Sequence, residues 1–391
     1  MHTEVGIVGA GPCGLMLAHL LRAAGVDVVV LDHRSRNVIE TTVRAGVLEH
    51  DSVHLLAGTG ASDRVLTEGH EHRGIELAFD GGRHRLDFPD LAGASVWLYP
   101  QTEVVIDLGR AHDRAGTDIR WGVSDVAVLD LDPPRLGYLA ADGTPAELHC
   151  RYLVGADGSH SICRRAVPAE RCRQYFREYP FAWFGILATA PYSAPELVYN
   201  HSERGFALIS QRNETLQRMY FQCPPDTDPA AWSDEQIWAE LQARCNPNGM
   251  LLNEGPVLDK SVLPFRSSVH EPMQHGRLLL AGDAAHTVPP TGAKGLNLAL
   301  HDARILAELL PAALVKDDPG LLAEYPRRAV DRVWRVQHFS YWMTTLLHQL
   351  PDAGDFDRRR QLAELTAVVE SRGASTFLAQ AYTGWPARMP E

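Results

Sequence analysis

The hydrophobic pattern of the first 32 residues changes period twice. Val5 to Val8 is a short β-branched run. After Gly14, Leu17, Leu20, Leu21 and Ala24 fall at i, i+3, i+4 and i+7, and from Val28 to Leu31 the chain is again continuously apolar before Asp32. These periods predict a strand, an amphipathic helix ended by Gly25, and a buried strand. Alternation over Ile75 to Phe79 and Arg83 to Phe88, about Asp80-Gly81-Gly82, predicts a hairpin. Val96 to Tyr99 predicts a strand and Glu103 to Ala115 a helix. Further strands are expected near Val126 to Leu131, Leu136 to Ala140, Glu147 to His149 and Tyr152 to Gly155. Aromatic-rich strands follow at Phe181 to Ala188, Glu196 to Tyr199, Arg204 to Ser210 and Gln217 to Gln222, then a helix from about Ser233. Leu278 to Ala281 predicts a buried strand that runs through Pro289-Pro290-Thr291-Gly292 into a helix opening at about Leu296. Helical periodicity continues through Ile305, Leu306, Leu309 and Leu310 and again from Trp334 to Leu347.

Strands that alternate with helices at both ends, around a middle rich in strands, predict an α/β (α+β) chain. The expected division is a Rossmann-like dinucleotide domain from residues 1–72, 100–175 and 265–345, a mostly antiparallel domain from 73–99 and 176–264, and a helical region over 346–391. For 391 residues, two or three domains are the expectation.

Composition narrows the function. At 45% hydrophobic and 22% charged the chain folds into a globular protein, and a formal net charge of -12 argues against nucleic-acid or anionic-membrane partners. The six cysteines show no C-x-x-C spacing and no paired framework, so neither a metal site nor disulfides are expected. With no basic leader, cleavage site or apolar run of the ~18 residues a membrane helix needs, a soluble cytoplasmic protein is expected.

Three loops carry the chemistry. Gly9-Ala10-Gly11-Pro12-Cys13-Gly14 has the G-x-G-x-x-G spacing that permits a tight turn, a close approach of backbone to a pyrophosphate and close helix packing. Asp32 follows, placed for a ribose hydroxyl pair. Asp157-Gly158 ends a buried strand and would return the chain to the dinucleotide. Gly282-Asp283 ends another, just before a helix whose first amides, at Gly295 and Leu296, can hold negative charge. Arg44 is either a solvated charge or a bidentate anion ligand. Ser210, Arg212 and Tyr220, on adjacent strands, either converge on one carboxylate or form a polar face open to water. Taken alone, His72 reads as a surface histidine.

Together the segments VGIVGAGPCG, RAGVLE, YPQTEV, ADGSHS, ERGFALISQR, EPMQHGRLLLAGDAAHTVPPTGAKGLNLA and AYTGWP resemble the group A flavoprotein monooxygenases, the FAD-dependent aromatic hydroxylases, over essentially the full length. The resemblance implies hydroxylation of 4-hydroxybenzoate at ring position 3, with FAD, O2 and NADPH or NADH, in a homodimer. Oxygen transfer from a flavin hydroperoxide is electrophilic, so the phenol must lose its proton. By the same resemblance Ser210, Arg212 and Tyr220 clamp the substrate carboxylate. Tyr199 bonds the phenol and, with Tyr382, relays its proton to a solvent-facing His72. Pro290 and Thr291 face the reacting carbon. Arg44, Gln101, Asp157, Arg218, Asp283, Lys294 and Asn297 surround the flavin, with His160, Arg164 and Arg266 on the nicotinamide side. Related rings, 4-aminobenzoate or 3,4-dihydroxybenzoate, and a non-oxygenating FAD-binding redox protein are the alternatives. Thr42 stands where NADPH-preferring members often carry arginine, which weakens the expected hold on a 2′-phosphate and leaves Arg34 and Arg36 as the substitutes.

Overall fold

The computed structural model describes residues 1–42 and 46–385. Its first sheet has a parallel core in the order Leu278–Leu280, Pro145–Gly155, His2–Val8, Val28–Asp32, Asp118–Trp121. These central strands are apolar on both faces because helices Pro12–Ala23, Gln101–Ala115 and Gly295–Lys316 pack into the same core. The strands expected separately at Glu147 to His149 and Tyr152 to Gly155 form one strand, Pro145–Gly155. No turn residue separates them, and the strand takes Pro134–Leu139 antiparallel along its first half and His2–Val8 parallel along its second.

The second sheet has eight strands, ordered His286–Thr287, Val257–Glu271, Arg173–Thr189, Leu216–Cys223, Ala207–Asn213, Leu197–Asn200, Gly74–Phe79, Gly82–Asp87. All its pairs are antiparallel except Leu197–Asn200 with Gly74–Phe79. Strand alternation splits its side chains. Phe184, Ile186, Ile209, Met219 and Phe221 pack on helix Asp234–Cys245, whose start Ser233 and Gln236 fix as a capping box. Trp183, Tyr199, Leu208 and Tyr220 face the other way, toward helices Glu324–Leu347 and Arg372–Thr383.

A third, three-stranded sheet is foreshadowed only in its central strand, expected at Val96 to Tyr99: Val96–Leu98 pairs with both Val47–Glu49 and His70–His72, neither of which the periodicity shows. Strands of three residues are too short to show alternation. Among the described residues no helix is long and apolar enough to cross a membrane.

Candidate active site

The glycine loop is shaped by close approaches. Gly9 has φ +107°, and a Cβ there would lie 2.2 Å from the Ala156 carbonyl oxygen; one on Gly14 would lie 1.9 Å from the Gly9 oxygen. Strand end, helix start and the 156–157 turn therefore interlock only without side chains. Gly11, the residue before helix Pro12–Ala23, has nothing within 4 Å of where its Cβ would be, and that helix start has no side-chain cap. The start of helix Gly295–Lys316 is likewise uncapped, with open space at Gly295. Two open, amide-rich helix starts fit an elongated anionic dinucleotide. Asp32 lies against this loop, accepting from Ala10 N–H at 2.7 Å, but Arg34 also holds it through its backbone N–H (2.8 Å) and guanidinium (3.0 and 3.1 Å). Gly282, at φ +60°, packs against Cys13 and Ala299, and the next residue, Asp283, is exposed. Gln101 is half-buried at the start of its helix, and Gly46 packs so closely on this turn that a Cβ would reach 2.7 Å from Gln101 N.

Four of the residues expected around the flavin have side chains bonded to other groups of the chain. Asp157 accepts from Ser161 Oγ (2.6 Å), Ile162 N–H (2.7 Å) and Cys163 N–H (3.2 Å), because the free amides of helix Ile162–Arg165 are its nearest donors. Buried Lys294 donates to Glu49 (2.6 Å) and to the Tyr382 carbonyl (2.8 Å); an ammonium taken out of water needs such a partner. Asn297 completes strand Val47–Glu49, accepting from Glu49 N–H (2.9 Å) and donating to the Val47 carbonyl (2.9 Å). Arg218 donates to Tyr220, Asp259 and Ser261, all on the second sheet. Arg44 lies outside the described residues.

Tyr199, Leu208, Tyr220 and Gly185 are consecutive cross-strand partners, so they share one face of the second sheet. A Cβ on Gly185 would come within 3.0 Å of both Arg218 and Tyr220, which explains the glycine. Arg212 lies beside Tyr220 and Arg218; burial lowers the pKa of its guanidinium, with Tyr220 opposing the shift and Arg218 adding to it. The Ser210 hydroxyl donates to the carbonyl of its cross-strand partner Arg218 at 2.6 Å.

At the other end of this row the Tyr199 hydroxyl donates to the Thr291 carbonyl (3.2 Å) and lies 2.6 Å from the Tyr382 hydroxyl. Both phenols are buried, and burial raises both pKa values. Thr291 and Pro290 sit in the turn Pro290–Gly292 that precedes the open helix start.

The family model described as "FAD binding domain" matches residues 2–340. A p-hydroxybenzoate hydroxylase of Acinetobacter baylyi is 41% identical over 99% of this chain and 96% of its own length. An anhydrotetracycline hydroxylase structure from Streptomyces rimosus has TM-score 0.77 at 27% identity, covering 100% of this chain and 77% of that one. The structure of p-nitrophenol 4-monooxygenase from Pseudomonas putida, at TM-score 0.81 and 21% identity over 99% of this chain and 100% of that one, shows the same fold. The chain belongs to the FAD-dependent aromatic hydroxylases.

In this hydroxylase His72 corrects the expected solvent-facing end of the relay. It is 1% exposed, its Nε2 takes the Gln211 amide at 3.1 Å, and Nδ1 has no hydrogen-bond partner among the described residues. Burial pushes its pKa down to about 4, against Glu196, so the ring is neutral at physiological pH. The basic residues expected on the nicotinamide side do converge. Arg164 donates to the Ser159 carbonyl (2.7 Å), Arg266 to the Ser159 hydroxyl (3.2 Å), and exposed His160 lies 3.4 Å from that hydroxyl. Arg164 also holds the Ala284 carbonyl at 2.8 Å, beside Asp283.

Sequence reasoning missed Gln211, Glu49 and Trp183. It also missed Thr344 and His348, whose signal was available: with Ser340 they repeat every four residues along the buried face of one helix and its cap.

Proposed function

We propose that this hydroxylase converts 4-hydroxybenzoate to 3,4-dihydroxybenzoate. The supporting observation is the row that has the cation Arg212 beside Tyr220 at one end and the buried Tyr199–Tyr382 hydroxyl pair at the other. A ring with an acid at one end and a phenol opposite suits that row. The balance is one C–H converted to C–OH, with O2 and NAD(P)H plus a proton giving water and NAD(P)+. The starts of helices Pro12–Ala23 and Gly295–Lys316 would hold FAD, which would supply the reduced, oxygen-reactive centre.

Arg212 and Tyr220 fix the carboxylate by charge-assisted hydrogen bonds, each worth roughly 1.5–3 kcal/mol, and reject rings that leave them unpaired. Tyr199 takes the phenol's hydrogen bond. Because burial disfavours a tyrosinate at 199, that residue passes charge on rather than storing it, and Tyr382, 2.6 Å away, is the next carrier. Pro290 and Thr291 bring backbone to the reacting carbon, and His160, Arg164 and Arg266 offer cations to the coenzyme.

The domain division proposed is the one drawn from sequence: every strand of the first sheet falls within 1–72, 100–175 and 265–345. A homodimer is part of the proposal, supported by exposed Tyr175, Phe176, Trp334 and Tyr341 clustered on one face. So is a cytoplasmic location, which suits six free thiols. The test is oxygen uptake and aromatic product with FAD, each nicotinamide, and 4-hydroxybenzoate, 4-aminobenzoate or 3,4-dihydroxybenzoate. Dihydroxylated product from 4-hydroxybenzoate in near-unit ratio to coenzyme supports the reading; product from another of these rings alone replaces it.

A further inference from the structure

Helix Glu324–Leu347 ends at His348, and Ser340, Thr344 and His348 lie four residues apart on one buried face. A polar stripe on a buried face carries a cost unless each group finds a partner. Two of these residues link different walls of the site. The Thr344 hydroxyl lies 2.6 Å from the Ser340 carbonyl and 2.9 Å from the Thr291 hydroxyl, both threonines being fully buried. The Thr344 hydroxyl is placed to donate to both the Ser340 carbonyl and the Thr291 hydroxyl, its one proton shared between the two acceptors. Thr291 is the residue whose carbonyl takes the Tyr199 hydroxyl.

His348 continues the connection to the sheet. Its Nε2 accepts from Trp183 Nε1–H at 2.7 Å, which leaves the ring proton on Nδ1, donating to the Thr344 carbonyl at 2.9 Å. The ring stacks on Phe181 (4.7 Å, 6°), and Trp183 packs 4.8 Å from Tyr220 at the carboxylate end of the row. Burial pushes the His348 pKa down to about 3, which keeps this neutral tautomer in place.

We infer that Thr344 and His348 are positioning residues that hold the Pro290–Gly292 turn at a fixed distance from the Tyr199 and Tyr220 wall, an inference that rests on the reading of Tyr199 as the phenol's partner. Neither touches substrate. They act through Thr291 and Trp183, so their loss alters where the reacting carbon meets the turn more than how tightly the carboxylate is held.

The test compares Thr344→Val, which keeps shape but removes the hydroxyl, with Thr344→Ser, which restores it, in FAD-loaded protein. Product per nicotinamide oxidised should fall by about twofold or more in Thr344→Val and recover in Thr344→Ser, while the dissociation constant for the benzoate stays within about twofold. The ring used is whichever the parent hydroxylates; failure of the parent on 4-hydroxybenzoate overturns the substrate reading alone. Independently of substrate, hydrogen–deuterium exchange over residues 288–294 should accelerate in Thr344→Val. Unchanged coupling or unchanged exchange protection overturns the inference, including when the variant merely melts at a lower temperature.

Discussion

Tyr199 and Tyr382, 183 residues apart, bring their hydroxyls to 2.6 Å with both side chains buried. With the Tyr199 proton on the Thr291 carbonyl, Tyr382 donates to Tyr199, and on the proposed reading a substrate phenol at Tyr199 would reverse that order along the pair. Burial raises the pKa of both phenols, so on that reading the pair would pass a proton along without retaining the charge.

Tyr199→Phe should therefore keep benzoate binding and flavin reduction but slow hydroxylation, by the ~10²–10⁴-fold typical of lost proton transfer. Reduced coenzyme would then be consumed with release of hydrogen peroxide. The measurement is hydroxylated product per nicotinamide oxidised, and a variant as tightly coupled as the parent removes Tyr199 and Tyr382 from the proton path together.

Arg212→Ala should raise the dissociation constant for 4-hydroxybenzoate at least about tenfold, equivalent to ~1.4 kcal/mol, with FAD content unchanged. Fluorescence titration of the holoenzyme reads both quantities. Unchanged affinity would dissociate Arg212 from the carboxylate.

Gly9→Ala should yield protein with little or no FAD, since the new methyl would meet the Ala156 carbonyl at 2.2 Å in a backbone conformation that disfavours side chains. Absorbance at the flavin band against protein content measures it; full FAD occupancy would show that the cradle lies elsewhere.

How much of this was legible in the sequence depended on how local each cause is. Gly9, Gly11, Gly14 and Asp32 act within one strand–helix–strand unit, and their spacing reveals them. The capping of Ser233 by Gln236 is equally local. The resemblance implies that Lys294 and Asn297 neighbour the flavin; that their side chains also bond Glu49 and Val47, about 250 positions earlier, is recorded by no short-range pattern. The parallel pairing of Leu197–Asn200 with Gly74–Phe79 is hidden for the same reason. His72 misled because a histidine beside a strand usually faces water; here the third sheet buries it.

That burial has a pH consequence. The folded-state pKa of His72, near 4, lies below its unfolded value near 6.5, so as pH falls the unfolded chain takes up the proton first. Stability from this group is present above about pH 6.5 and is lost as pH falls toward 4, by up to about 3 kcal/mol. His72→Asn should flatten denaturant midpoints across that window relative to the parent. An equally steep parent and variant would assign the acid sensitivity to other buried histidines.

Coenzyme choice provides the last prediction. The segment after the second strand carries two arginines, Arg34 and Arg36, but each already faces carboxylates. Arg34 is held on Asp32, while Arg36 donates to Glu40 at 2.6 Å and Asp113 at 2.8 Å, and Glu40 first among its neighbours raises the pKa of its guanidinium. A 2′-phosphate would have to compete with these acids for the same N–H groups, so NADPH should hold little advantage. The ratio of kcat/KM for NADPH over NADH is expected to lie within about tenfold of one, a difference of ~1.4 kcal/mol. Asp113→Asn with Glu40→Gln leaves Arg36 in place but removes its partners, and should move that ratio toward NADPH by about tenfold without altering benzoate affinity. Arg266→Ala, in contrast, should raise KM for both coenzymes alike, because the cluster at Ser159 offers cations without distinguishing a 2′-phosphate. A parent strongly selective for NADPH, or a freed Arg36 that changes nothing, would show that the 2′ position is read by residues outside this segment.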